Sequence, residues 1–177
     1  MSWLRRYQIL KRIGLGGMGT VYLARDNVLQ RTVALKFIHT HMVESEQLAR
    51  FFQEAQAAAQ LAHPNIVTLF GIHPGDHTDD PPFIEMEYIE GTNLSALVKQ
   101  RGPLDVWQAR EYIRMAALGL QQAHEKGLVH RDIKPSNLMV TAMGSVIKIL
   151  DFGLARLLRG AGDAATSARQ GVQPTYV

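Results

Sequence analysis

The 177-residue sequence contains no cysteine, so it has neither a disulfide framework nor a thiolate metal site. No apolar run approaches the roughly eighteen residues that a membrane-spanning helix requires. Arg5 and Arg6 are not followed by an apolar stretch, so no secretory signal is predicted. These absences predict a soluble protein of the reducing cytoplasm, with no zinc site and no membrane segment in this chain.

The sequence also lacks a large excess of charge of either sign. It has 19 basic and 16 acidic residues, and the lysines and arginines are dispersed along the chain. No nucleic-acid partner is therefore predicted, although a small basic excess is compatible with a nucleotide phosphate site. Hydrophobic residues make up 46% of the chain, enough to bury the core of about one domain.

One short stretch of the chain is dense in residues suited to phosphoryl transfer. From His130 to Asn137 it reads His-Arg-Asp-Ile-Lys-Pro-Ser-Asn, and Asp151–Gly153 follows fourteen positions after the asparagine. A carboxylate such as Asp132 can take the proton of an attacking hydroxyl, and oxygen ligands can hold the metal that accompanies nucleotide phosphates. The alternative is a polar turn between two buried strands. Acidic groups placed close together repel each other unless a cation binds between them. A polar turn alone does not explain why they should be grouped here.

A glycine-rich turn is predicted near the start of the chain. Two predicted strands, 7–13 and 20–25, flank Gly14, Gly16 and Gly19. Glycines there would let backbone N–H groups approach phosphate oxygens directly. Dinucleotide-binding turns have similar glycine spacing but open a helix, whereas a strand follows here. The context therefore favours a flap over the phosphates of a nucleotide.

A lysine and a glutamate are predicted to point inward from adjacent elements. The third predicted strand, 32–38, is apolar except for Lys36, and a buried lysine is costly unless it is paired. A lysine that reaches solvent is the alternative. In the helix predicted from about residue 46 to 62, Glu54 lies on the apolar stripe. We therefore predict a Lys36–Glu54 ion pair that would hold the ammonium at the α- and β-phosphates.

Two more strands, at 66–72 and 83–89, complete a set of five in the first half of the chain. The segment between them contains histidines and carboxylates. Proline and glycine dominate it, so a solvated connection is favoured over a metal site. Short buried strands are also predicted at 138–140 and 146–150.

Two helices are predicted between the fifth strand and the motif at 130–137. The shorter begins near residue 92, and the longer runs to about residue 126 with Asp105 as its N-cap. The longer helix is predicted to bury a stripe that includes Val106 and Ile113.

These segments resemble the eukaryotic-type, or Hanks-type, serine/threonine protein kinases, particularly those of bacteria. The motif at 130–137, with Lys134, resembles the serine/threonine form of that family's catalytic loop, and Asp151–Gly153 resembles its magnesium loop. The glycine flap, the Val33–Lys36 segment and Glu54 resemble its amino-terminal lobe.

The resemblance implies a kinase-like α+β fold in two lobes. Residues 1–89 would form the small lobe, a five-stranded antiparallel sheet with one helix. Residues 90–177 would form part of the large lobe, with two helices, the catalytic loop and the start of the activation segment. The sequence ends before the family's Ala-Pro-Glu motif and later helices. Apolar surface would then be exposed, which predicts poor solubility, self-association or a need for a partner.

The resemblance also implies the roles of the site residues. Asp132 would accept the substrate proton, Lys134 would steady the transferring phosphate, and Lys36 with Glu54 would align the nucleotide. ATP and Mg²⁺ are the implied cofactors, with the metal held by Asn137 and Asp151. The implied nucleotide contacts are Ile13, Gly14, Gly16, Gly19, Val21, Ala34, Lys36, Glu87, Ile89 and Met139.

Further roles follow from the same resemblance. Met86 would be the gatekeeper beside the adenine, and His130 would pack and form hydrogen bonds rather than act as a base. One of the two residues Thr166 and Ser167 is predicted to be phosphorylated. The end of the chain, 171–177, resembles the family's Gly-Thr-Pro-x-Tyr substrate loop in an irregular form.

The predicted function is transfer of the γ-phosphate of MgATP to a serine or threonine hydroxyl of a protein substrate. The first alternative is a non-catalytic nucleotide-binding or interaction fragment of a kinase, which the incomplete large lobe favours. The second is a small-molecule phosphotransferase of related architecture. The His-Arg-Asp-x-Lys pattern disfavours this last alternative.

Overall fold

The computed structural model describes residues 3–16, 19–39, 45–75, 81–144 and 146–152. The predicted phosphorylation sites Thr166 and Ser167, together with Gly153 and the 171–177 segment, lie outside the described residues. Within the described ranges, no helix is both long enough and apolar enough to cross a membrane.

The first half of the chain forms a five-stranded antiparallel sheet, which confirms the predicted fold. The strands are β1 (Tyr7–Gly16), β2 (Gly19–Asp26), β3 (Arg31–Ile38), β4 (Leu69–His73) and β5 (Phe83–Glu87). They lie in the order β1-β2-β3-β5-β4. A single helical turn, α1 (Trp3–Arg6), precedes the sheet and was not predicted.

The turn after β2 is organised by the buried carboxylate of Asp26. One oxygen accepts hydrogen bonds from the backbone N–H groups of Val28 and Leu29, at 2.9 and 3.1 Å. The other accepts from the Arg6 guanidinium at 2.8 Å. The Arg6 hydrogen bond is the main reason why the pKa of Asp26 is lowered to about 2.

The helix α2 (Ser45–Ala58) covers one face of this sheet. Its side chains Phe51, Phe52 and Ala55 are buried against Ile38 and Ile84 of the sheet. The predicted apolar stripe is therefore the packed face. The helix ends four residues earlier than predicted, because the Gln60 and Leu61 N–H groups bond to carbonyls three residues back, at 3.2 and 3.0 Å, instead of four.

The second half combines two helices with a three-stranded sheet. Helix α3 (Leu94–Arg101) begins at Asn93, whose side chain accepts a hydrogen bond from the Ala96 N–H at 2.8 Å. In α4 (Val106–Glu125), the predicted N-cap Asp105 accepts from the Trp107 and Gln108 N–H groups. The sheet order is β6-β7-β8, with strands β6 (Gly91–Asn93), β7 (Leu138–Thr141) and β8 (Ile147–Ile149).

The buried face of α4 differs from the predicted stripe. Val106 is 77% exposed and Ile113 is 70% exposed. Ala116 and Leu120 of the predicted stripe do pack into the core, and Tyr112 and Ala123, which were not predicted, are buried beside them. Helix α4 carries apolar residues around more than one face, so helical spacing alone did not identify the face that contacts β8.

The fourth strand begins three residues later than predicted. Residues 65–67 bond to β8 of the other sheet instead of to β5. The Ile149 N–H donates to the Asn65 carbonyl at 2.9 Å, and the Val67 N–H donates to the Ile149 carbonyl at 3.0 Å. This backbone contact joins the two halves of the structure directly.

Gly91 lies where β6 approaches β7 most closely. A Cβ added at Gly91 would lie 2.0 Å from the Val140 carbonyl oxygen, a backbone atom that cannot move independently. We expect Gly91→Ala to lower the free energy of unfolding by about 1–3 kcal/mol, the usual cost of overpacking. Denaturant titration measures this loss.

The matched control for Gly91→Ala is Gly16→Ala. No heavy atom lies within 4 Å of a Cβ added at Gly16. This variant is expected to unfold within about 0.5 kcal/mol of the wild type. Equal stability of the two alanine variants would contradict the close approach at Gly91.

Candidate active site

The side chains of the motif at 130–137 converge on Asp132. The Lys134 Nζ donates to Asp132 Oδ2 at 2.7 Å, and the Asn137 Nδ2 donates to the same oxygen at 3.1 Å. The Asn137 Nδ2 also donates to the Asp132 backbone carbonyl at 2.8 Å. A 3₁₀ turn, Pro135–Asn137, folds the chain back so that these contacts form.

His130 holds this loop against the residue that precedes Asp151. It is 1% exposed, and its Nε2 donates to the Leu150 carbonyl at 2.7 Å. Its Nδ1 accepts a hydrogen bond from the Asp132 N–H at 3.2 Å. These two bonds assign the neutral tautomer with the proton on Nε2. Burial lowers the pKa of His130 below its ordinary value, and both ring nitrogens are used for positioning.

The depressed pKa of His130 predicts a loss of stability on acidification. Because the folded-state pKa lies below 6.5, the unfolded chain binds the proton more readily. The stabilisation is complete above the unfolded-state pKa and is lost as the pH falls through the folded-state pKa. We expect the free energy of unfolding, measured by denaturant titration, to fall as the pH is lowered past about 6.5, where the histidine of the unfolded chain takes up its proton.

The variant His130→Gln is expected to make this pH dependence shallower without removing it. Burial also lowers the pKa of His73, which therefore contributes in the same direction. Asp26, with its pKa of about 2, stays ionised over this range. A pH dependence identical in the wild type and His130→Gln would contradict the role assigned to His130.

Asp151 is joined to the motif at 130–137 and to the five-stranded sheet. The Leu150 N–H donates to the Asn137 carbonyl at 2.9 Å, which fixes the backbone next to Asp151. The Lys36 Nζ, from β3, donates to Asp151 Oδ1 at 2.6 Å. Lys36 is buried, with 5% of its surface exposed. The structure thus brings together a buried ammonium, a carboxylate and the loop that carries Asp132 and Asn137.

The partner of Lys36 differs from the prediction. The expected Lys36–Glu54 ion pair is not the one observed, because Lys36 pairs with Asp151 and the Arg131 Nη1 donates to Glu54 Oε1 at 3.2 Å. Every charge is paired whether Lys36 contacts Glu54 or Asp151, because Arg131 can neutralise Glu54. The residue types alone therefore did not predict which pairing forms. A cavity of about 210 Å³, lined in part by Ala58 and Phe152, adjoins the Glu54–Arg131 pair.

Several of the predicted nucleotide contacts share one apolar cluster. Ala34 and Met86 are buried there, and Val21 and Ile89 pack against them. Met139 is half-buried and Ile13 is 42% exposed. The cluster also contains members that sequence patterns did not suggest for this site, namely Val67, Leu69, Tyr88 and Leu150. Leu150 directly precedes Asp151 in the sequence, and this adjacency could have identified Leu150 as a residue of the site.

The three glycines of the flap differ in their surroundings. Gly16 has open space where a side chain would be, and a Cβ at Gly14 would make only an ordinary contact with Val21 at 3.5 Å. A Cβ at Gly19 would lie 2.1 Å from the Phe37 carbonyl oxygen. The close approach of β2 to β3 therefore explains why a residue without a side chain stands at position 19. At positions 14 and 16 an added Cβ would meet no such obstacle.

Two of the predicted site residues have the donor types that Mg²⁺ prefers. Asn137 uses its amide nitrogen to bind Asp132, so its amide oxygen is the group of that side chain suited to a cation. Asp151 adds a carboxylate. Among the described residues, no three histidine or acidic side chains converge as a metal site. Asn137 and Asp151 therefore fit a Mg²⁺ that takes its other ligands from phosphates and water, rather than a metal enclosed by protein.

Comparison with characterised proteins gives consistent matches. The serine/threonine-protein kinase PrkC of Bacillus subtilis is 42% identical over 154 residues, which cover 86% of this chain and 23% of PrkC. The serine/threonine-protein kinase PknB of Mycobacterium tuberculosis is 39% identical over 163 residues, which cover 91% of this chain and 26% of PknB. The chain therefore spans about a quarter of the length of these relatives.

A solved structure and a family model agree with these relatives. The crystal structure of the PknI kinase domain of M. tuberculosis matches with a TM-score of 0.74 and 30% identity, over 85% of this chain and 59% of that domain. The protein kinase domain model matches residues 7–176. The match extends over nearly the whole sequence, and the chain belongs to the protein kinase family, with Hanks-type bacterial serine/threonine kinases as its relatives.

Proposed function

We propose that the protein transfers the γ-phosphate of MgATP to a serine or threonine hydroxyl of a protein substrate. The observation that carries the proposal is the contact between Lys36 and Asp151, beside the loop in which Lys134 and Asn137 bind Asp132. Together, this contact and this loop supply a cation for the phosphates, a carboxylate for the attacking hydroxyl and oxygen donors for a metal. Bacterial relatives with the same family assignment support the same reaction class.

In this proposal Asp132 orients the hydroxyl and accepts its proton. The proton moves to the Asp132 carboxylate as the hydroxyl oxygen forms its bond to phosphorus and the bond to the leaving diphosphate breaks. Lys134 steadies the transferring phosphate with its ammonium. Most of the acceleration comes from placement and charge neutralisation, and no covalent phosphoenzyme is needed.

The nucleotide lies between two lobes in this proposal, the small lobe of residues 1–89 and the part of the large lobe in residues 90–177. The flap glycines cover the phosphates, and Lys36, held by Asp151, sets their position. Asn137 and Asp151 hold Mg²⁺, which neutralises charge on the phosphates. The adenine is held by apolar side chains and by the backbone of the segment between the lobes, with contacts assigned to Ile13, Val21, Ala34, Glu87, Ile89 and Met139.

A second candidate is a nucleotide-binding fragment that associates with another polypeptide and does not catalyse transfer. One specific observation favours it. Val106, Trp107 and Ile113 of α4 are each at least 70% exposed, an unusual density of large apolar side chains on one helix. We propose that this surface drives self-association of the chain. Sedimentation velocity over a range of protein concentrations would detect it, and a monomer at every concentration would contradict it.

The purified 177-residue chain, given Mg²⁺ and ATP labelled on its γ-phosphate, separates the candidates. Label transferred to serine or threonine of a generic basic protein supports the protein kinase. Transfer to an aminoglycoside in its place supports a small-molecule phosphotransferase. Saturable nucleotide binding without transfer supports the non-catalytic fragment, and no binding contradicts all three.

A further inference from the structure

Glu85 is a buried carboxylate to which the proposed reaction assigns no role. It lies in the middle of β5 and is 2% exposed. Its Oε2 accepts a hydrogen bond from the Tyr7 hydroxyl at 2.8 Å, and its Oε1 accepts one from the Arg31 Nη2 at 3.0 Å. Tyr7 begins β1 and Arg31 begins β3. One side chain therefore joins three strands of the five-stranded sheet.

The hydrogen bond between Tyr7 and Glu85 links strands that are not neighbours in the sheet. In the order β1-β2-β3-β5-β4, two strands lie between β1 and β5. The two side chains therefore meet across one face of the sheet, where Tyr7 packs with Leu35 and Phe83. Their contact fixes how far the sheet bends between the strand that leads to the glycine flap and β5.

Tyr7 is also the buried anchor of β1, the strand that ends in the flap. Of the ten residues of β1, all of which the structure describes, only Tyr7 is buried. The rest of the strand, as far as Gly16, is held by its ladder with β2. That ladder is interrupted by two register shifts, one after Ile9 and one after Arg12. The position of the flap strand relative to the core therefore depends strongly on Tyr7.

Glu85 lies on the face of the sheet opposite to the predicted nucleotide contacts. It pairs across the ladder with Leu35, and Met86 pairs with Ala34. Because side chains alternate along a strand, Ala34 and Met86 point to the other face, where they join the apolar cluster of predicted nucleotide contacts. Glu85 therefore acts on a nucleotide in the cleft only through the strands that it holds.

The charge of Glu85 is balanced by arginines. Arg31 is hydrogen-bonded to the carboxylate, and the Arg6 guanidinium lies 3.6 Å from it. His73 Nε2 lies 4.0 Å from Glu85 Oε2, and burial lowers the pKa of His73, so its ring is neutral at pH 7. Burial and the hydrogen bond to Glu85 raise the pKa of Tyr7, so its hydroxyl keeps the proton that it donates.

We propose that Glu85 is a positioning residue for the nucleotide, whose carboxylate holds the flap strand through Tyr7 and the strand of Lys36 through Arg31. This inference rests on the proposed function, in which the flap and Lys36 bind the phosphates. The carboxylate uses one oxygen for each strand. The flap and the ammonium are thereby held in place before the nucleotide arrives, and such pre-organisation increases affinity.

Glu85→Gln and Tyr7→Phe remove this connection from its two ends. Glutamine keeps the size of glutamate but offers one acceptor oxygen in place of two, so either Tyr7 or Arg31 is left facing an amide NH2 group. Phenylalanine keeps the ring and removes only the donor. We expect each variant to raise the KM for ATP about three- to tenfold, in the lower part of the range for residues coupled in one network. The kcat is expected to stay within about twofold of the wild type, because Asp132 and its loop are unchanged.

Initial rates of label transfer over a range of ATP concentrations give KM and kcat, at a temperature where thermal unfolding shows each variant to be folded. A purely structural effect would reduce the folded fraction, which lowers the apparent kcat and leaves KM unchanged. The double variant is expected to raise KM by less than the product of the single effects, because both act on one hydrogen bond. A wild-type KM in Glu85→Gln would overturn the proposal, as would single effects that multiply.

Asp26→Asn is the matched control, because Asp26 is equally buried but stabilises the turn after β2. Its side-chain oxygens accept from Arg6, Val28 and Leu29. We expect this variant to unfold at a lower temperature and to keep the wild-type KM for ATP. An increase of KM in Asp26→Asn equal to that in Glu85→Gln would also overturn the proposal, since any loss of stability would then have the same effect.

ATP binding and hydrogen exchange separate failure of this inference from failure of the proposed function. Wild-type chain that binds no ATP in calorimetry would contradict the proposed function. If ATP binds without transfer, its dissociation constant replaces KM, with the same expected change in each variant. In the nucleotide-free chain, we expect faster amide exchange at residues 7–9 and 31–35 in Glu85→Gln. Exchange equal to that of the wild type would show that Glu85 does not hold these strands, whatever the chain binds.

Discussion

Asp132→Asn is expected to lower phosphoryl transfer by about 10²–10⁴-fold, the usual contribution of a general acid–base group. Asparagine has nearly the same size as aspartate and keeps an oxygen that can accept hydrogen bonds from Lys134 and Asn137. It cannot take up the proton of the attacking hydroxyl. The measurement is the initial rate of label transfer from ATP to a protein substrate at saturating nucleotide.

The matched control for Asp132→Asn is Asp105→Asn. Asp105 caps α4 through its side-chain oxygen, and asparagine is an equally good N-cap, so transfer is expected to remain at the wild-type rate. Nucleotide affinity is expected to be similar in both variants, because Asp132 acts on the attacking hydroxyl. A wild-type rate in Asp132→Asn would remove this residue from the role of base.

Lys36→Met is expected to lower transfer by about 10²–10³-fold, as found when one preorganised group that stabilises developing charge is removed. Methionine keeps most of the apolar stem in its buried position but removes the ammonium. Asp151, 2.6 Å from that ammonium in the wild type, then loses its cation. The same change removes the positive charge proposed to meet the α- and β-phosphates. Nucleotide affinity by calorimetry should fall together with the transfer rate.

The control for Lys36→Met is Lys99→Met, which makes the same chemical change at an exposed position near the end of α3. It is expected to leave both affinity and transfer unchanged. Thermal unfolding distinguishes a lost charge from a lost fold, since the lysine of β3 is buried. Nucleotide affinity equal to that of the wild type in a folded Lys36→Met protein would contradict the assignment.

Local patterns predicted the elements that position the site. Alternating apolar residues predicted the five strands. The N-cap aspartate, followed by a run of helix-forming residues, predicted the start of α4. The grouping of Asp132, Lys134 and Asn137 followed from their closeness in the chain, because the contacts of a short loop involve few degrees of freedom. These features depend on interactions between residues near each other in sequence.

The choice of partners over long distances could not be predicted in this way. Lys36 and Asp151 are 115 positions apart, and Lys36 has a second carboxylate, Glu54, on a neighbouring helix. Both pairings neutralise the same charges, so their free energies differ only through the placement of α2 and β8. Glu87 was predicted to contribute its backbone, and its ion pair with Lys148 had no signature in the sequence.

Motifs and hydrophobic periodicity are properties of the sequence alone and can be recognised without knowing how the chain packs. They predicted the kinase family, the succession of the main strands and helices, and the residue types of the site. The partner of Lys36, the buried face of α4 and the contact of residues 65–67 with β8 emerge only once the chain has folded. Each is a choice among contacts of similar local chemistry. That choice is made by which surfaces the packed elements bring within hydrogen-bonding distance.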